Sequence, residues 1–197
     1  MAVPFSLFRK AVREPSFRMV PGPVANVPIV PIGTFRKAIC TYHLSGRDAA
    51  IAGISLPSAY WRTNARGKTL AENYRRSLDT YIALDLADGR PSYDVGVKQR
   101  ARIDREVLNV YIDALVYAMA EHTARVALWD VPQPSATEAA VMASPIVIAL
   151  ESEVGEARAH SVAFWHLRSG TVVEVSTAHA HAQAGAAADA VRRAAGI

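Results

Sequence analysis

The chain has 197 residues, 51% of them apolar and 20% charged, a composition that can build a core and excludes global disorder. Its net charge of +4 is unevenly spread: residues 1–105 carry 17 Lys and Arg against 8 Asp and Glu, residues 106–197 only 5 against 10. The single cysteine, Cys40, excludes an intrachain disulfide, and a reducing, cytoplasmic setting is the expectation.

In chain order, residues 1–14 form an amphipathic helix, with Phe5, Phe8 and Val12 on one side and Arg9, Lys10 and Arg13 beside them. Pro15 ends it. Residues 16–33 contain Pro21, Pro23, Pro28 and Pro31, which block helix and remove strand donors. This is an extended apolar arm, strapped over its own domain or lying on a neighbouring subunit. The β-branched and aromatic residues of 34–44 predict a strand, paired in a hairpin with 49–56. A loop with Tyr60, Trp61, Arg62, Arg66 and Lys68 follows. A helix over 69–86 has Leu70, Tyr74, Leu78, Tyr81 and Ile82 as its apolar face, and Thr69 with Glu72 matches a capping box.

Residues 88–91 carry a turn signature. Residues 92–103 alternate as a strand, with Val95, Val97, Ala101 and Ile103 on one side and Lys98, Arg100 and Arg102 on the other. Over 104–122, apolar residues recur at steps of three and four, which predicts a long central helix with Asp104 as N-cap. A strand over 125–131, a short helix over 136–142 and an apolar strand over 146–150 suggest a parallel crossover. Residues 159–167 and 171–177 form a hairpin turning at 168–170, and an Ala-rich helix over 182–195 closes the chain.

Four constellations bear on chemistry. Basic residues interleave with aromatics from Arg36 and Lys37 through Tyr60, Trp61, Arg62, Arg66, Lys68, Arg75 and Arg76. Lys98, Arg100 and Arg102 add to them. Phosphates need positive charge and unpaired bases need flat π faces, so this pattern fits DNA or RNA. The basic half equally fits internal neutralisation by the acidic half. Gly67-Lys68-Thr69 resembles the tail of a phosphate loop, but Arg62 stands where the first glycine belongs, which excludes a Walker A site. His160, His166, His179 and His181, with Glu151, Glu153, Glu156 or Glu174, offer metal-ligand types at no recognised spacing. Asp130 beside Trp129 sits where sheet-end acids occur, or caps a turn. Cys40, inside a predicted strand, is expected to be inert.

The expected fold is a single α+β or α/β domain over residues 33–197, a mixed sheet crossed by a long central helix, preceded by a helix and extended arm over 1–32. The expected function is non-enzymatic nucleic-acid association through the phosphate backbone, with no cofactor, no metal and no membrane partner. The alternatives are a homo-oligomeric assembly subunit using the N-terminal arm, and a metal-dependent enzyme near the C-terminal hairpin.

Overall fold

The computed structural model describes residues 2–19, 32–54, 65–129 and 131–197. Within them the chain runs β1 (Val3–Pro4), α1 (Phe5–Arg13), α2 (Ile32–Ser45), α3 (Arg47–Ala52), α4 (Ala65–Asp88), β2 (Ser92–Ile103), β3 (Glu106–Ala118) and β4 (Glu121–Leu128). It continues through α5 (Ala136–Val154), β5 (Ala159–His166), β6 (Thr171–Ser176), α6 (Thr177–Ala182) and α7 (Ala184–Ala195). These elements make one α+β domain around a mixed six-stranded sheet. Of the expected proline-rich arm, residues 20–31 lie outside the described residues.

The sheet is a meander followed by a crossover. β2, β3 and β4 pair antiparallel, α5 then carries the chain back so that β5 runs parallel to β4, and β6 returns antiparallel beside β5. β1 is a short parallel addition to β3, with Val3 opposite Leu108 and Pro4 opposite Asn109. β3 therefore has two neighbours on one edge. β1 stops at Asn109, and β4 joins only at Ala114, opposite Arg125.

Helices cover both faces. On one side α1, α5 and α7 bury Phe8, Met142, Ile146 and Val191 against Leu108, Ile112, Val126, Val162 and Phe164. On the other side α2, α3 and α4 bury Phe35, Ile39, Tyr74, Leu78 and Tyr81 against Ala163 and Trp165.

Several local expectations are overturned, each for a physical reason. The expected central helix over 104–122 is a β-hairpin, all of β3 plus the start of β4. β3 is buried on both faces through residues 112–116, so its sequence does not alternate and its apolar spacing mimics a helix. The turn is formed by Met119 and Ala120, both at positive φ (48° and 70°). That is the backbone a tight two-residue hairpin needs, here without the usual Asn-Gly signal. Residues 34–44 lie in α2, where Phe35, Ala38 and Ile39 are buried and packing overrides their β preference. The second expected strand is α3 as far as Ala52. The helix over 136–142 and strand over 146–150 are one helix, α5, which runs through Pro145. Its all-round burial explains why it reads as continuous apolar sequence. Ser135 caps it by accepting the Glu138 amide at 3.2 Å, while the Glu138 carboxylate accepts the Ser135 amide at 2.7 Å. The long helix that crosses the sheet is thus α5.

One buried charge cluster joins α4 to the sheet. The Arg125 guanidinium, fully buried, donates to Asp85 and Asp88 at the end of α4 and lies 4.4 Å from the Trp165 ring centroid. Asp85 also accepts from the Tyr42 hydroxyl at 2.8 Å. Arg90 extends the cluster to Asp88 at 2.8 Å, Thr123 at 3.0 Å and Glu174 at 3.3 Å. A charge this deep is tolerated only with its partners in place.

Candidate anion-binding cavity

Strand periodicity sets the floor of the site. Lys98 and Arg100 are two residues apart on β2 and share a face. The β2–β3 register places Tyr111 opposite Lys98 and Asn109 opposite Arg100. Directly opposed side chains lie within contact range, so two cations, a phenol and a carboxamide sit on adjacent rungs. From α2, the Arg36 guanidinium stacks on Tyr111, 3.8 Å from its ring centroid, a cation–π contact.

The walls come from distant sequence. Pairing of β1 with β3 delivers the start of α1, and Pro4, Phe5, Ser6 and Arg9 line one side. Ala127, Trp129 and Val131 line the other. Together these groups border an open cavity of about 1000 Å³. The first turn of α1 contains no acidic residue and its N-cap, Pro4, supplies no side-chain bond, so the positive end of that helix stands uncompensated at the cavity wall. No described residue lining the cavity is acidic. Arg36, Lys98 and Arg100 make no ion pair among the described residues.

Behind the floor, Asp113 is fully buried and its carboxylate accepts the Ala127 amide at 2.8 Å. Burial pushes its carboxyl up to about 6, opposed by the nearby Arg36 charge and the Ala127 hydrogen bond. The Tyr111 hydroxyl is also pushed up, first by burial and then by the charge of Asp113. Cys40, one helical turn beyond Arg36, lies next to Gly96 as the Tyr111 hydroxyl does, and burial raises its thiol. It belongs to a helix rather than the expected strand. Gly96, at φ 68°, passes directly beneath Cys40: a Cβ there would stand 2.7 Å from Sγ and 3.2 Å from the Tyr111 hydroxyl.

The residues expected to contact nucleic acid are only partly gathered here. Arg36, Lys98 and Arg100 converge on the cavity. Arg102 shares their face of β2, but its Nε donates to the Asp104 carbonyl at 3.3 Å, beyond the cavity lining. Lys37, Arg75 and Arg76 are exposed on α2 and α4 and do not line it. Tyr60, Trp61 and Arg62 lie outside the described residues, as do the side chains of Arg66 and Lys68. Gly67-Lys68-Thr69 lies inside α4, which starts at Ala65, so it does not precede the helix as its motif would require and the expected capping box is internal. Arg9, Asn109, Tyr111 and Trp129 are additions that the sequence pattern did not assign to a site.

The histidines are dispersed. His160 pairs with Glu121 at 3.3 Å and His181 with Glu151 at 2.6 Å. His166 is buried and bonded to Ser169 at 2.6 Å and to the Val131 carbonyl at 2.8 Å. Among the described residues no three His, Cys, Asp or Glu side chains are grouped to hold a metal ion. No helix among them is long and apolar enough to cross a membrane. Asp130 lies outside the described residues.

Four cations, three aromatic rings and the Asn109 carboxamide, with no acidic residue among the described lining residues, form a surface whose chemistry is the capture of an anion bearing a flat apolar group. No protein-family model matches the chain, and no curated protein resembles it in sequence.

Proposed function

We propose that this protein binds nucleic acid through its phosphates, in the cavity between α1 and α2. One observation carries the reading: Arg9 from α1, Arg36 from α2, and Lys98 and Arg100 from β2 line the same cavity although they come from three separate stretches of sequence. A chance excess of basic residues would be scattered over the surface. Arginine predominates, which suits forked contact with phosphate oxygens. Trp129 adds a ring against which a base can lie. The basic first half of the chain supplies long-range attraction.

The test is fluorescence anisotropy with single-stranded DNA, single-stranded RNA and duplex DNA over a range of KCl concentrations. Binding that weakens log-linearly with salt is expected. Arg36→Glu combined with Arg100→Glu should weaken it at least tenfold while the circular dichroism spectrum stays unchanged. Absence of salt-sensitive binding to all three probes at about 50 mM salt would overturn the proposal.

A further inference from the structure

We infer that the cavity accommodates the phosphorylated end of a nucleic-acid strand, one terminal nucleotide, and not a run of internal backbone. This rests on the nucleic-acid reading above and goes further in naming the part of the molecule that is bound.

The first argument is the concentration of charge. Internal phosphodiesters each carry one negative charge and are strung along a strand, so a protein that tracks them sets its cations in a row. Here Arg9, Arg36, Lys98 and Arg100 surround a single volume. A terminal phosphomonoester carries about −1.5 to −2 and three strong acceptor oxygens. Cations brought to one cavity from two helices and a strand suit that group.

The second argument is the break in the sheet. On the edge of β3 that β1 and β4 share, β1 reaches only Asn109 and β4 begins only at Ala114. Residues 110–113 have no strand beside them on that edge. Asp113 fills part of the break by accepting the Ala127 amide, while Val110 and Tyr111 line the cavity. Main-chain polar groups left without a sheet partner seek one elsewhere. The cavity thus reaches a stretch of strand edge that no neighbouring strand covers, where the edge of a base can approach.

The third argument is the aromatic wall. Trp129 is half-buried and is packed against Phe35 and Tyr74, with ring centroids 5.9 Å and 4.7 Å away, so it is held rigidly where it borders the cavity. A fixed ring is an inexpensive stacking partner, because little side-chain freedom is lost on binding. At about 1000 Å³ the cavity lies at the upper end of the range for small-ligand pockets. It has room for a nucleotide.

The experiment compares four single-stranded oligonucleotides of one sequence: 5′-phosphorylated, 3′-phosphorylated, phosphorylated at both ends, and hydroxyl at both ends. AMP and inorganic phosphate serve as competitors. At least one terminal phosphate should tighten binding tenfold or more, and AMP should compete better than inorganic phosphate. Arg100→Ala, an exposed position, should erase the preference for the phosphorylated end. Equal, salt-sensitive affinity for all four oligonucleotides, rising with their length, would overturn this inference and leave the nucleic-acid reading standing. Inorganic phosphate competing as well as AMP would overturn recognition of the nucleotide. Absence of binding to any oligonucleotide would remove both.

Discussion

Asp113 and Ala127 face each other across the break in the sheet, the Asp113 carboxylate taking the amide that β4 no longer offers to β3. Because burial raises this carboxyl from 3.8 to about 6, the folded chain holds the proton more tightly than the unfolded chain. Its contribution therefore favours folding fully below about pH 4 and is lost as the pH rises through 6. The difference corresponds to at most ~3 kcal/mol. Asp113→Asn, neutral throughout, should flatten this part of the stability profile. Urea unfolding at pH 4, 5, 6 and 7 measures it, and a wild-type-minus-variant difference that stays constant over this range would refute the assignment.

Arg125 should be among the most sensitive positions in the chain. Removing its guanidinium leaves Asp85 with the Tyr42 hydroxyl and no bonded cation, and leaves Asp88 with Arg90; their side chains are only 16% and 20% exposed. Arg125→Met alone should cost about 3–5 kcal/mol in chemical denaturation, and adding Asp85→Asn and Asp88→Asn should recover a large part of that. A triple variant no more stable than the single one would show that the loss comes from packing on Trp165 and not from unpaired carboxylates.

Gly96 combines a positive φ with the thiol of Cys40 lying over it. Gly96→Ala should destabilise the fold by about 1–3 kcal/mol, since it suffers both the left-handed backbone and the clash. Cys40→Ala in the same chain should relieve only the clash, so the double variant should be more stable than the sum of the two single effects predicts. Strict additivity in thermal unfolding would mean that the backbone conformation alone sets the cost.

Among the basic residues, position should matter more than charge. Lys98→Ala and Arg36→Ala should each reduce the slope of log affinity against log salt by about one. Arg75→Ala and Arg76→Ala, on the solvent side of α4, should leave it unchanged. Equal effects from all four would point to diffuse attraction over the whole basic half.

The parts of the fold legible in the sequence are those whose burial is one-sided. β2 alternates cleanly because its Lys98–Arg100–Arg102 face looks away from the core that holds Ala101 and Ile103. α4 shows its Tyr74, Leu78 and Tyr81 stripe for the same reason, and the β5–β6 hairpin is marked by its turn. Elements buried all round gave no reliable period, so β3 resembled a helix and α5 a helix followed by a strand. The candidate site was half legible. Charge alone pointed to Arg36, Lys98 and Arg100. Tyr111 was concealed by the misread strand, and Arg9 became part of the site only because β1 pairs with β3, about a hundred residues away in sequence. No local pattern encodes that contact.

The burial of Val3, Phe5, Phe8 and Ala11 in the main core limits how the start of the chain can be studied. A deletion series that removes residues 1–31 to ask what the proline-rich stretch does would also excise a wall of the cavity and several core side chains. Loss of assembly or of ligand in such a truncated protein would report collapse, not the role of residues 20–31. Point substitutions within that stretch, in an otherwise intact chain, are the informative alternative.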